Sequence, residues 1–298
     1  MTDAAAARRR GIFAFVVTTL VWGSTWLVIK GQLGSVPPAW SVTWRFALAC
    51  AAMFLLAMLR RERLALSPRG LMFAAVVGFF QFCANFQLVY QAERYLTSGL
   101  VAVIFALLIV PNALFGRVFI CTAVSRRFLL GSVIAIAGIA LLMLHEYRIA
   151  PISGSVLLGL ILTFGAILCA SIANVLQSGQ TAREQSVVVL LAWAMLVGAA
   201  SNAAYAWITQ GPPVIDWSAP YLLGVAYLGL VGSVLTFPLY SILLRDWGPG
   251  RAAYNGVLIP VVAMALSTLF EGYHWTALAL GGAVLVAAGL LVALGGRR

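Results

Sequence analysis

The sequence predicts an all-α polytopic membrane protein in which ten transmembrane helices form two inverted five-helix repeats. Three observations lead there. Hydrophobic residues fill 63% of the 298 positions and charged residues 9%, with a mean hydropathy of +1.01; a soluble domain carries about 25% charged residues. Apolar runs of the ~17–25 residues that cross a bilayer as a helix recur from end to end, while the ~10-residue alternating segments of a transmembrane barrel are absent. The chain also repeats itself. A shift of 148 lays Gly11 on Gly159 and Gly31 on Gly179, and a shift of 149 lays Pro111 on Pro260.

The first span, 12–32, follows Arg8-Arg9-Arg10 and mimics a signal peptide. Its apolar stretch is too long and no small-residue cleavage site follows, so it reads as an uncleaved helix. It carries WGSTW: Trp22 and Trp26 are four apart on one face, and Lys30, the only lysine of the chain, lies one turn further on. Gly23 beside them lets another helix or a ligand approach closely. Pro37-Pro38 leads into span two, 40–59, which holds Trp44-Arg45-Phe46. Ser67-Pro68 announces span three, 70–91, where Gln81 and Asn85 share a face flanked by Phe82 and Phe86. Span four, 97–119, contains Pro111, and span five, 128–145, has glycines seven apart at Gly131 and Gly138.

The second half follows the same plan. Span six, 154–178, gathers Ser171, Asn174, Gln177 and Ser178 on one face, and Asn174 aligns with Trp26 under the repeat shift. Span seven, 187–209, stops at Gly211-Pro212-Pro213; span eight, 220–243, contains Pro238. Gly248-Pro249-Gly250 precedes span nine, 251–271, which contains Pro260. Span ten, 275–294, repeats the seven-residue glycine spacing at Gly282 and Gly289.

Five spans per copy is an odd number, so residues 149–298 enter the membrane in the opposite sense to residues 1–148. With the N-terminus inside, fifteen arginines fall in inner segments and only Arg94 and Arg148 in outer loops. That asymmetry places both termini in the cytoplasm of a cell whose inner membrane holds the protein. The net charge of +11 is scattered between apolar runs and forms no aromatic-interleaved basic face, which excludes nucleic acid as a partner. The partners expected are the lipid bilayer and a small molecule. One chain of ten spans encloses a site without a second copy.

WGSTW (22–26), Trp44-Arg45-Phe46 and ERYLTSGLVAVIFALLIVPNALFG (93–116) resemble the first copy of an EamA domain. LLRDWGPGRAAYNGVLIPVVAMALSTLFEGYHW (243–275) resembles the second. The chain is thereby identified as a member of the drug/metabolite transporter superfamily, most similar to the YddG-type exporters of aromatic amino acids. The resemblance implies alternating access and export of amino acids, aromatic or apolar; a further reading is export of other amphipathic metabolites or drugs, proton-coupled or not. Near the end of span nine the family often has Gly-Glu, whereas this chain has Glu271-Gly272.

No enzyme signature accompanies these features. His145-Glu146 begins like HExxH but lacks the second histidine, and neither GxSxG nor GxxxxGK[ST] occurs. Cys50, Cys83, Cys121 and Cys169 form no CxxC pair, so no metal or cofactor is expected. The eight acids all fall in tails, loops or span ends, away from the midplane where proton antiporters place theirs; this predicts a facilitator. Trp22 and Trp26 suit either a cavity wall that stacks an aromatic solute or an interfacial belt. Gln81, Asn85, Phe86, Asn174 and Gln177 suit either substrate binding or interhelical bonding. Lys30 and Arg45, both near the outer ends of their spans, could guide a carboxylate or pair with Glu271, also at the outer face. Pro111, Pro238 and Pro260 free backbone carbonyls within spans and serve as hinges or as fixed kinks.

Overall fold

A computed structural model describes residues 2–120, 125–149, 155–240, 243 and 255–294. Among them are eleven helical segments. Ten are long: α1 (Thr2–Gly31), α2 (Pro38–Leu59), α3 (Pro68–Ala92), α4 (Ser98–Phe119), α5 (Arg126–Ile149), α6 (Ser155–Ser178), α7 (Val187–Gln210), α8 (Ala219–Tyr240), α9 (Asn255–Phe270) and α10 (Ala277–Leu294). The eleventh is a single turn, Gln180–Arg183, where the sequence predicts only a connection. Among the described residues seven helices are long and apolar enough to cross a membrane, and α9 and α10 are shorter apolar helices. The chain is a multi-pass membrane protein; the expected number of ten crossings exceeds what helix length and composition alone give.

The ends follow from local chemistry. Ser67 precedes Pro68 and accepts from the Gly70 N–H at 3.1 Å, so α3 starts on a capped, proline-led turn. Ser125 and Thr276 cap α5 and α10 in the same way. Gly211 ends α7 at φ 80°, in the left-handed region where a side chain is strained.

The long helices pack into two blocks. In the first, α2, α3, α7 and α8 share a core that includes Phe46, Met53, Phe82, Tyr90, Met195 and Leu228. In the second, α4, α5, α9 and α10 share one that includes Leu100, Ile104, Leu142, Met264, Val286 and Leu290. α6 divides between them, with Ala166 in one core and Ile167 in the other; on α1, Ile29 belongs to the first core and Trp26 packs against both. The second block is drawn together by glycine. A Cβ on Gly138 would stand 2.6 Å from the Gly282 carbonyl oxygen, and one on Gly289 would stand 2.6 Å from that of Gly131. The seven-residue spacing thus lets α5 and α10 touch backbone to backbone. Outward-facing Leu130, Val133, Leu158 and Ile161 are exposed, as side chains against lipid must be.

Two of the three span prolines follow an irregular turn. Pro111 comes three residues after the 3₁₀ segment Ala106–Leu108, and Pro238 three after the π-helical segment Tyr227–Leu235. Pro260 lies inside α9, which stays α-helical through Asn255–Phe270. The chain has a second π-helical segment, Gly78–Ala84 in α3, with no proline near it.

Candidate functional site

Arg45 is the centre of the candidate site. It sits two turns into α2 and is only 2% exposed. Its guanidinium lies 4.3 Å from the Phe86 ring centroid and 5.1 Å from that of Phe46. Nη2 reaches the Ser233 hydroxyl at 3.5 Å, while Nε and Nη1 make no hydrogen bond. Tyr90 lies beside it, but donates its hydroxyl to Gln32 Oε1 at 3.0 Å. Cation–π contact is worth about 0.5–2 kcal/mol, well short of the several kcal/mol that desolvating a guanidinium costs. Of the carboxylates, Glu93 is the one that acts on it electrostatically, and it forms no hydrogen bond to the guanidinium. The sequence placed Arg45 near a span end; the structure buries it against α3 and α8.

The two π-helical segments shape this region. Ser233, inside the α8 segment, bonds back to the Leu228 carbonyl five residues earlier and turns its hydroxyl toward Arg45. Wide turns leave carbonyls that side chains satisfy. Asn202 of α7 donates to Phe82 O at 2.8 Å, and Gln87 Nε2 donates to Asn202 Oδ1 at 2.9 Å. Trp22 Nε1 and Thr236 Oγ1 both donate to Gly232 O. Helical periodicity gives no warning of a π turn, so sequence reasoning missed Ser233, Gln87 and Asn202 as a set.

Aromatic rings join these parts. Trp22 meets Phe237 at 5.6 Å, Phe237 meets Phe82 at 5.5 Å, Phe82 meets Phe46 at 5.2 Å and Phe46 meets Phe86 at 4.9 Å. The line runs from α1 through α8 and α3 to the guanidinium. Trp26 instead meets Phe105 of α4 at 5.3 Å, and its buried Nε1 has no partner. Gly23 between the tryptophans faces a helix: a Cβ there would lie 2.5 Å from Val262 of α9. On α3, Asn85 donates to Gln81 O, leaving Asn85 Oδ1 and Gln81 Oε1 buried without donors. The buried atoms of these residues left without partners are therefore Arg45 Nε and Nη1, Trp26 Nε1, Gln81 Oε1 and Asn85 Oδ1.

The other predicted residues fall elsewhere. Asn174 is half-buried on α6, and Gln177 donates to Ala173 O of its own helix. Ser171 is buried with an unpartnered hydroxyl, and Ser178 bonds Val175 O. Lys30 donates to the carbonyls of Glu93 and of Leu96, closing the end of α3 as a basic cap. Glu271 pairs with neither Lys30 nor Arg45; its carboxylate accepts from Ser98 N–H and, at 2.6 Å, from Ser98 Oγ, at the N-terminus of α4. His145 shares a 2.8 Å hydrogen bond with Thr276. Among the described residues no group of three His, Cys, Asp or Glu side chains could hold a metal; Cys121 lies outside the described residues.

A hollow of about 500 Å³ between α4, α9 and α10 is lined by Val103, Pro260, Met264 and Val286. Its Thr268 hydroxyl already accepts from Trp275 Nε1 at 2.8 Å, so the hollow offers a zwitterion no free charge. It is separate from the surroundings of Arg45.

The EamA-like transporter family model matches this chain twice, over residues 9–144 and 157–295. The chain belongs to that family. It is therefore a membrane transporter and not an enzyme. The "Probable amino-acid metabolite efflux pump" of Escherichia coli (strain K12) is 28% identical over 98% of this chain and 97% of its own. "Uncharacterized inner membrane transporter YedA" of the same strain is 31% identical, covering 93% of this chain and 88% of its own. "Protein PagO" of Salmonella typhimurium is 27% identical over 87% of this chain and 84% of its own. A solved crystal structure shares the fold with a TM-score of 0.69 over 95% of this chain and 96% of the other, at 17% identity.

Proposed function

We propose that this EamA-family transporter exports amino acids, aromatic or apolar ones, by alternating access through a central cavity at the Arg45 region. The observation that carries this reading is the uncompensated guanidinium of Arg45, set between Phe46 and Phe86. A carboxylate would supply the missing counter-charge and an aromatic side chain would stack along the ring line. Trp26 Nε1, Gln81 Oε1 and Asn85 Oδ1 supply donors and acceptors for the rest of a zwitterion. Two relatives carry the description "Probable amino-acid metabolite efflux pump", which agrees with this substrate class.

The cavity lies between two oppositely inserted copies, residues 1–148 and 149–298, in ten crossings with both termini cytoplasmic. Helix packing supports that architecture. α2 packs on α7 and α5 on α10, each helix on its counterpart five later; α1 packs on α9 as α6 does on α4. The π segments also correspond, since Gly78 shifted by 149 is Tyr227. This symmetry fits two copies about one axis, and odd copies must oppose. Transport runs down the substrate's own gradient. The largely apolar ring line also admits flat amphipathic metabolites or drugs, the second reading.

Counter-flow in liposomes with a panel of labelled amino acids tests the proposal. Aromatic amino acids should exchange through the wild type and lose exchange in Arg45→Met, Trp26→Ala and Asn85→Ala. Normal exchange in Arg45→Met would show that the guanidinium is not a substrate site. Exchange only of flat compounds lacking a carboxylate would select the second reading.

A further inference from the structure

We propose that the hollow between α4, α9 and α10 is a binding site for one acyl chain of a membrane phospholipid. Its cause lies in α10. Gly282 and Gly289 press that helix against α5, and the side it turns to the hollow carries Ala283, Val286, Ala287 and Leu290. Two of these four are alanines, which leave the space beside α9 unfilled. On α9, Val257, Val261 and Ala265, and Pro260, Met264 and Thr268, recur every four residues on one face. The space between them measures about 500 Å³, within the ~300–1,000 Å³ range of ligand sites.

The hollow has a closed floor and a mouth on the apolar surface. Val103, Val257, Pro260, Met264, Val286 and Leu290 are buried beneath it. Val261 at 55% and Leu269 at 75% exposure form the rim. On α10 the exposed Val284 and Leu291 continue that apolar surface, which in a multi-pass protein meets lipid. From Val257 to Leu269 the groove follows twelve residues of α9, about 18 Å at ~1.5 Å per residue. One leaflet supplies half of the ~30 Å hydrocarbon core. The groove is therefore about as long as one leaflet is deep.

Its polar groups are spent. Thr268 Oγ1 donates to Met264 O at 2.7 Å and accepts from Trp275 Nε1 at 2.8 Å. Trp275 marks the end nearest the α9–α10 connection, where aromatic rings sit at headgroup level. Water finds no partners in such a lining, and an empty void would deprive the lining atoms of dispersion contacts. A flexible methylene chain supplies them. In the orientation proposed above, the chain belongs to the outer leaflet.

Photolabelling tests this. The protein is reconstituted in phosphatidylcholine vesicles containing a trace of phosphatidylcholine with a diazirine midway along one chain; after irradiation the adducts are located by mass spectrometry. Adducts should concentrate on Met264 and Val286, several-fold above the exposed faces of α5 and α6 at Val133 and Ile161. Phosphatidylglycerol with the same chain should give the same pattern, since the lining offers nothing to a headgroup. Ala283→Phe fills the groove and should bring floor labelling down to that of the exposed faces. Ala287→Leu should lower it in part, which covers a Phe variant that fails to fold. With a photoreactive phenylalanine analogue in place of Val261, crosslinks should go to lipid. Labelling spread evenly over all lipid-facing helices would mean ordinary bilayer contact and overturns the site. Floor labelling that depends on the headgroup or is unchanged in both alanine variants, or crosslinks from position 261 to a second copy of the chain, likewise overturns it.

Discussion

The two blocks of the bundle differ in what their helices place between them. Between α5 and α10 the backbones come to closest approach at Gly131, Gly138, Gly282 and Gly289, with apolar side chains such as Leu142 and Val286 around them. Between α2, α3, α7 and α8 there are an arginine, amides and hydroxyls, and both π-helical segments. Glycine packing is complete by itself, since every neighbour is already present. Both blocks leave buried polar atoms unpaired, Asn112 and Ser267 in the second among them, but in the first they include a guanidinium, that of Arg45, together with the acceptors of Gln81 and Asn85. Buried polar groups left in that condition favour a ligand that satisfies them, which is why recognition is proposed for this block.

That contrast can be broken by substitution. The largest expected effect is in Arg45→Met: carboxylate binding should weaken by about 2–5 kcal/mol, as for loss of one side of a buried charge pair. The same change removes an unpaired buried charge, so thermal unfolding in detergent should occur at the same or a higher temperature. Lower stability together with intact binding would reverse the roles of the blocks. Gly138→Leu should do the opposite. Its side chain meets the Gly282 carbonyl and the Val286 amide, so Tm should drop by the equivalent of about 1–3 kcal/mol, while the folded fraction binds ligand normally.

A pH series sharpens the comparison further. Because the fold raises the Glu93 carboxyl, the folded state holds a proton that the unfolded chain has released. Stability should therefore fall as pH rises from the ordinary glutamate value through the folded one, by up to ~1.4 kcal/mol per pH unit. Glu93→Gln should flatten that dependence, and Tm measured across the series in both proteins checks it. The smallest effect belongs to Trp22→Phe, which removes the donor to Gly232 O; a loss of about 1 kcal/mol is expected, read as a small fall in Tm.

Much of the fold was legible in the sequence. Apolar runs gave nearly every long helix within a few residues, and proline and glycine breaks marked their ends. The seven-spaced glycines were legible as a repeat, but that they bring α5 and α10 into contact came from the structure. The site was less legible, for identifiable reasons. A π turn adds a residue that no 3.6-residue pattern registers, so Ser233 and Asn202 could not be placed. Arg45 looked like an outer-end residue because position along a span does not say which helices surround it. Glu93 was correctly placed at a span end, but that it is fully buried, and that Lys30 and Glu271 from distant parts of the chain act on it, needs the fold. Lys30 proved to be bonded to backbone carbonyls, an assignment that needs the geometry of the α3–α4 corner.

The joint between α5 and α10 has a mechanical consequence. Side chains accommodate displacement by changing rotamers, whereas two backbones pressed together at paired glycines have no such freedom. This pair behaves as a stiff strut. Any rocking of the molecule would then fall on the seam along α1, which is tied to α9 through Thr18, Thr19 and Asn255 and to α8 through Ser24 and Tyr227, so that movement there exchanges a few side-chain hydrogen bonds and leaves the glycine joint intact.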